Sequence, residues 1–270
     1  MLELKYPMSS QISLPVRFFR LVVLAKLTVL YVTLATLMRM TMRDRWRCSR
    51  YTSKLLSWFC RQGLRFLDVE VKKVIVGEVP QAPFFVVSNH LSYIDILVVS
   101  SLFPTCYITS VEIGETLGLG QMARSANCLF VERRDKSGLS REIGEITEAL
   151  RNGLVITIFP EATTTDGSEL LRFRRPLYRA AIDSGVPVIP ICLNYRKVGG
   201  EPLSSKNRDY LFWYGDMRFG GHLWRLSQFR EPFTIEVTVS PAVSPQGVDE
   251  AYLAEHTHQI VKGHFNPCSG

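Results

Sequence analysis

Acidic residues are nearly absent from the first quarter of this 270-residue chain. Residues 1–66 hold 2 Asp+Glu against 12 Lys+Arg, a charge of +10, whereas residues 67–270 hold 23 against 20, a charge of −3. The net charge of +7 is therefore a property of a basic leader on a slightly acidic body. Zinc-finger, recognition-helix and RNA-platform patterns are also missing, so the basic leader points to an anionic membrane surface and not to nucleic acid. There is no C-x-x-C pair. Cys48, Cys60, Cys106, Cys128, Cys192 and Cys268 are scattered, several of them within apolar runs. That pattern reads as reduced structural thiols in a cytosolic domain, not as a disulfide or zinc framework. No G-x-S-x-G elbow, internal repeat or low-complexity tract occurs, and only one apolar run approaches bilayer-spanning length, which excludes a polytopic membrane protein.

That run is Leu21–Met38, 18 residues long and about 27 Å as a helix, just short of the ~30 Å hydrocarbon core. Lys26 interrupts it near one end, where its ammonium can snorkel. Arg17 and Arg20 precede it, and Arg39, Arg43, Arg45, Arg47 and Arg50 follow it. Without a small-residue cleavage site it does not read as a signal peptide. A single span and a half-inserted helix both fit, with the cationic flanks on the cytoplasmic side. A second helix is expected over Cys48–Leu67. Leu55, Leu56, Phe59, Leu64 and Leu67 form its apolar face, directed either into a headgroup interface or into the core of the main domain. Residues 1–66 are accordingly read as a membrane-associating helical segment and residues 67–270 as the main domain.

From Val69 onward, β-branched runs alternate with helical patterns. Strands are expected at Val69–Val76, Phe84–Val87, Cys106–Thr109, Cys128–Val131, Leu154–Phe159, Val188–Leu193 and Thr234–Val239. Helices are expected at Ile94–Leu102, Ile113–Ala126, Ser140–Asn152, Leu177–Ser184 and Asp249–Lys262. The alternation predicts an α/β fold with a largely parallel or mixed sheet covered by helices on both faces. Gly199–Asp209 reads as a polar surface loop. Phe219–Phe229, with Leu223, Trp224, Leu226 and Phe229, is expected to pack on the core or to touch lipid.

In such sheets ligands sit beyond the carboxyl ends of the strands. Three of the runs are followed by polar groups: Ser88-Asn89-His90, Glu132-Arg133-Arg134, and Pro160-Glu161-Ala162-Thr163-Thr164-Thr165. If the strands are parallel, these groups converge on one rim. Within Asn89-His90-Leu91-Ser92-Tyr93-Ile94-Asp95, a tight turn brings Asp95 back to the ring of His90. There a carboxylate fixes the tautomer and supports proton abstraction from an alcohol. Ser92-x-x-Asp95 is equally a helix-capping box, so two readings of Asp95 stand side by side.

Taken together, the blocks resemble the glycerolipid acyltransferases of the lysophosphatidic acid acyltransferase superfamily. The block N-H-x-S-x-x-D is matched at Asn89, His90, Ser92 and Asp95. A second block ends at Arg133 in Phe130-Val131-Glu132-Arg133. A third, usually F-P-E-G-T-R-S, stands as Phe159-Pro160-Glu161-Ala162-Thr163-Thr164-Thr165. The fourth is the V-P-V-I-P strand at Val186–Pro190, and Phe173-Arg174 and Ala180-Ala181 fit between the third and the fourth. The likeness covers roughly residues 80–240, with the blocks in order.

The resemblance implies direct acyl transfer from acyl-CoA or acyl carrier protein to a lysolipid hydroxyl, without an acyl-enzyme. It implies His90 as base, Asp95 as its orienting partner, Arg133 on the acceptor phosphate, and Glu161 and Thr163 at the acceptor head. Asn89, Ser92, Phe159 and Pro160 would support them. It calls for no metal and no cofactor beyond the thioester donor, and His256, His258 and His264 lack a ligand pattern. It further implies the cytoplasmic face of a membrane, for which a bacterial inner membrane suits the compact chain.

The departures are Ala162 and Asn127 at the third and second blocks' glycines, and Thr164 at the third block's arginine. With Arg134, Arg172, Arg174 and Arg175 as possible substitute cations, 1-acyl-sn-glycerol-3-phosphate remains the first expected acceptor. A lyso-amino-acid lipid or another lysophospholipid is the alternative. A non-catalytic lipid carrier or scaffold is the reading from a different class, and a hydrolase using water is a third.

Overall fold

A computed structural model describes residues 12–116, 119–132 and 138–268. The chain begins with two long antiparallel helices, α1 (Leu14–Thr41) and α2 (Arg45–Phe66). Asp44, one of the two acids of the leader, is used where the turn needs it. Its Oδ1 accepts from the Trp46 and Arg47 N–H groups at 2.9 and 3.0 Å and caps α2.

The main domain follows in the order β1 (Val69–Ile75), β2 (Phe85–Ser88), α3 (Ile94–Leu102), β3 (Thr105–Ser110), α4 (Val111–Glu115), α5 (Leu119–Ser125), β4 (Leu129–Val131), α6 (Leu139–Arg151), β5 (Val155–Ile158), α7 (Arg179–Ser184), β6 (Val188–Val198), β7 (Glu201–Pro202), α8 (Phe219–Leu226), β8 (Phe233–Val239) and α9 (Glu250–His264).

The sheet order is β1-β8-β6-β2-β5-β3-β4, with β7 paired to β6. Every neighbouring pair along that order is parallel except β6 with β8, so β1 and β8 run against the other five. The fold is thus the expected mixed α/β sheet. One face packs on α2, α3 and α8 through Leu64, Ile94, Val98, Ile191 and Leu226. The other packs on α6, α7 and α9 through Ile146, Leu150, Ala181 and Leu253. Central β2 is buried at all four residues, which is why its sequence shows an unbroken apolar run and no alternation.

Three expectations change. The helix expected over Ile113–Ala126 is two short helices, α4 and α5, with residues 117 and 118 between them outside the described set. The expected loop Gly199–Asp209 opens with a glycine turn at positive φ (57° and 86°) that folds Glu201 and Pro202 back onto β6. The segment Phe219–Phe229 contains helix α8, whose His222 and Leu226 are buried while Trp224 faces outward.

Of the two readings for α2, the core reading is the one observed. Leu56, Phe59, Cys60 and Leu64 are buried, between α1 on one side and the main domain on the other. The charge boundary at residue 66 is therefore not a packing boundary. Helix α1 lies along the body over about 42 Å. At its start, Arg17 donates to the Trp224 carbonyl (2.8 Å) and stacks over the indole (4.1 Å), and Arg20 pairs with Asp68. In its middle, Tyr31 donates to the Ser125 carbonyl at 2.7 Å and Ala35 is buried. At its end, Arg39 donates to Asn127 Oδ1 at 2.7 Å. The opposite face exposes Phe18, Phe19, Val29, Leu30, Leu34, Leu37 and Met40.

This division of faces has a measurable consequence. Phe59→Ala should destabilise the purified chain by about 3–5 kcal/mol, whereas Leu34→Ala should stay within about 0.5 kcal/mol in the same detergent. Thermal unfolding followed by circular dichroism compares the two; equal losses would contradict the assignment of inner and outer faces.

Candidate active site

The carboxyl ends of β2 and β5 lie side by side because the two strands are parallel, with Val87 opposite Ile158. The chain leaves β2 into Asn89-His90 and leaves β5 into Phe159-Pro160-Glu161. Asn89 continues the ladder with its side chain: Nδ2 donates to the Leu193 carbonyl (3.0 Å) and Oδ1 accepts from the Leu193 N–H (2.8 Å), tying the turn to β6. Its support of the site is therefore structural.

Asp95 is fully buried in the first turn of α3. Its Oδ2 accepts from His90 Nδ1 at 2.8 Å, from the Leu91 N–H at 2.6 Å and from the Ser92 N–H at 2.9 Å. Its Oδ1 accepts from the Tyr195 hydroxyl at 2.6 Å. Asp95 thus reaches back both to the His90 ring and to the Ser92 N–H, the contacts that the two readings expect. One carboxylate closes the turn before α3 and holds the histidine, and the Ile94 N–H donates to Ser92 Oγ at 3.4 Å. An ionised carboxylate only accepts, so Nδ1 carries the ring proton and Nε2 is left as the basic nitrogen. The His90 side chain is 17% exposed. Its ring stacks on Phe159 at 3.9 Å between centroids, and Phe159 in turn stacks on Tyr107 at 6.0 Å.

Glu161 is buried, and both its oxygens are engaged by backbone. Oε1 accepts from the His90 N–H and Oε2 from the Leu171 N–H, each at 2.8 Å. Burial pushes its carboxyl up to about 7, against the lowering effect of those two donors, and the Asp95 charge adds to the rise. The resemblance placed Glu161 at the acceptor head. The geometry makes it a clamp between the first and third blocks, reinforced by the Thr165 N–H donating to the His90 carbonyl at 3.2 Å. Pro160 is buried and its carbonyl accepts from the Arg174 N–H at 2.9 Å. Thr163 is exposed on the turn beyond Glu161, and its hydroxyl faces the Thr164 carbonyl at 3.4 Å. Arg133 and Arg134 lie outside the described residues.

Both glycine departures fall at left-handed backbone, Ala162 at φ 61° and Asn127 at φ 55°. Asn tolerates that region; Ala does so at a cost of roughly 1–2 kcal/mol. Asn127 also puts its side chain to use, donating to Thr52 of α2 and accepting from Arg39 of α1.

The sequence alone did not find Tyr195. It lies 100 residues from Asp95, and only the register of β6 in the sheet brings them together. Among the described residues, no three His, Cys, Asp or Glu side chains gather as a metal site.

Comparison with known proteins identifies the family. A family profile described as Acyltransferase matches residues 70–194. The lyso-ornithine lipid O-acyltransferase of Pseudomonas aeruginosa is 31% identical over 210 residues, covering 77% of each chain. The chain belongs to the acyltransferase family. The 1-acyl-sn-glycerol-3-phosphate acyltransferase of Neisseria gonorrhoeae is 29% identical over 219 residues, covering 80% of this acyltransferase and 82% of that protein. The crystal structure of the 1-acyl-sn-glycerophosphate acyltransferase from Thermotoga maritima shares the fold. Its TM-score is 0.66 at 22% identity, over 93% of this acyltransferase and 94% of that chain.

Two expectations arise for this site. The folded acyltransferase favours protonated Glu161, so the stabilising contribution of that carboxyl is full below its ordinary value of 4.5 and is lost as pH rises through about 7. Relative to the permanently neutral Glu161→Gln, the wild type should therefore lose advantage from pH 5 to pH 8, by up to roughly 3 kcal/mol. Melting temperatures of both proteins across that range give the answer, and a constant gap would mean an unshifted carboxyl. Separately, Ala162→Gly should raise stability by about 1 kcal/mol, or about 2 °C in Tm, by relieving the left-handed alanine. A lowered Tm would count against strain at this position.

Proposed function

We propose that this O-acyltransferase moves a fatty acyl group from the thioester of acyl-CoA or acyl carrier protein to the free hydroxyl of a lysolipid, with His90 as general base. The observation that carries the reading is the 2.8 Å bond from His90 Nδ1 to the buried Asp95 carboxylate. It leaves Nε2 basic and ready to take the hydroxyl proton. The acceptor oxygen then attacks the thioester carbonyl. The tetrahedral intermediate collapses with loss of the thiolate, and the proton on His90 passes to that sulfur. Asp95 supports the imidazolium while it exists. No seryl or cysteinyl acyl-enzyme is needed, since the acceptor itself attacks.

For the acceptor, two observations support an amino-acid-headed lysolipid. Thr164 replaces the third block's arginine, removing a guanidinium that would hold a phosphate bidentately, and the Pseudomonas relative is named for lyso-ornithine lipid. A second reading, 1-acyl-sn-glycerol-3-phosphate giving phosphatidic acid, is supported by Arg133 at the end of the second block and by the Neisseria relative's name. For placement, α1 is the anchor. It is tied to the body at both ends, so it suits half-insertion along an anionic cytoplasmic leaflet, outer apolar face down, better than a free-standing span. The bacterial relatives support an inner membrane.

The test is acyl transfer by the detergent-purified full chain. Labelled acyl-CoA and acyl carrier protein are offered against lyso-ornithine lipid, 1-acyl-sn-glycerol-3-phosphate and lysophosphatidylethanolamine. One acceptor should be O-acylated, and His90→Ala should lower the rate by roughly 10²–10⁴-fold. Acylation of 1-acyl-sn-glycerol-3-phosphate alone would select the second reading. No acylation, with lipid bound equally by wild type and His90→Ala, would favour a carrier, and free fatty acid released without any lysolipid would favour a hydrolase.

A further inference from the structure

The Asp95 carboxylate is loaded unevenly. Three donors, His90 Nδ1 and the Leu91 and Ser92 N–H groups, converge on Oδ2. Oδ1 is served by the Tyr195 hydroxyl at 2.6 Å. Tyr195 reaches it from a distant strand. It sits near the end of β6, where the pairing with β8 slips between Tyr195 and Lys197, a bulge of the kind that re-aims a side chain beside a site. The ring is held on its own account, buried and packed edge-on against Phe212 at 5.1 Å. A phenylalanine would fill the same space. A buried hydroxyl is costly unless it is paired, and this one is paired with the orienting carboxylate.

We propose that Tyr195 is a positioning residue of the acyl-transfer site, an assignment that rests on the reading of His90 as general base. Its hydroxyl fixes the rotation of the Asp95 carboxylate about the bond to Cβ. Oδ2 is thereby held to His90 Nδ1, and the ring keeps the Nδ1–H tautomer that leaves Nε2 basic. Without the hydroxyl, Oδ1 is a buried acceptor that has lost its donor. The carboxylate then turns to share its remaining donors between both oxygens, and the imidazole loses its fixed orientation. Substrate binding is not involved, because Tyr195 is buried beneath Asp95 and reaches the reacting atoms only through it.

The experiment is a double-mutant cycle on the full chain with whichever acceptor is acylated, joined to an activity-independent readout. Tyr195→Phe should lower kcat roughly 10- to 100-fold and leave KM for acceptor and donor within about twofold. Added to Asp95→Asn, it should cost nothing further, because both act through the same carboxylate. Long-range ¹H–¹⁵N spectra of the imidazoles, with His90 assigned by its loss in His90→Ala, should show the Nδ1–H tautomer in wild type and a mixture in Tyr195→Phe. An unchanged kcat, losses that multiply in the double variant, or an unchanged tautomer would each overturn the assignment. Should the wild type transfer no acyl group while the tautomer still depends on Tyr195, the reading of the reaction fails, the catalytic assignment falls with it, and only the hold of Tyr195 on the imidazole remains.

Discussion

A fully buried carboxylate organises this molecule. Burying an ionised Asp is tolerable only where donors replace the lost water, and Asp95 has four within 2.9 Å. Two of them are backbone N–H groups of the turn that leads into α3, so the turn and the charge satisfy each other. The third is the ring of His90 and the fourth comes from β6. The turn after β2, the start of α3 and the far end of β6 are thus bound to one side chain. Holding the His90 ring is not an addition to a finished scaffold here: the contact that orients the imidazole also closes the turn.

The third block is attached to this centre by a second carboxylate of a different kind. Glu161 holds only backbone, one N–H from the first block and one from Leu171. Its burial without a cation among those partners is what raises its carboxyl towards neutrality. The chain must turn sharply straight after Glu161, and Ala162 makes that turn in a left-handed conformation that glycine adopts freely. The two hydrogen bonds of Glu161 over-determine the loop and let the strained residue persist. Asn127 meets the same backbone demand without comparable strain, and its amide joins the second block to both leader helices.

Much of this was legible in the residues. β-branched runs marked all seven longer strands, and the polar clusters behind β2 and β5 marked the rim where those strands end side by side, because the residues directly after a strand are a local signal. The contacts that escaped were non-local. Nothing near Tyr195 announces a partner at Asp95; the contact exists because β6 pairs with β2 and a bulge lies beside Tyr195. The hydrogen bonds of Glu161 escaped for a related reason: a motif gives the residue but not which of its neighbours lacks a partner. For α2, amphipathic spacing identified the apolar face but could not say whether that face meets lipid or protein, since both are apolar. The fate of α2 is decided by α1, which packs against the opposite side.

The leader and the site are mechanically one unit. At its start α1 is clasped to α8, by Arg17 on the indole and carbonyl of Trp224 and by the Ile12 N–H on the Gln228 carbonyl. From the other side of α8, buried His222 pairs through Nδ1 with the Tyr93 hydroxyl at 3.0 Å, and Tyr93 immediately precedes α3, whose first turn carries Asp95. Desolvation, aided by Arg225, pushes the His222 imidazole down to about 4, so the link stays uncharged at neutral pH and does not loosen as a pH-dependent ion pair would. Phe219 and Trp213 pack around the same tyrosine. The exposed apolar face of α1 therefore keeps a fixed attitude to His90 through packed side chains and neutral hydrogen bonds. Any surface that captures α1 also sets the direction from which the site is approached.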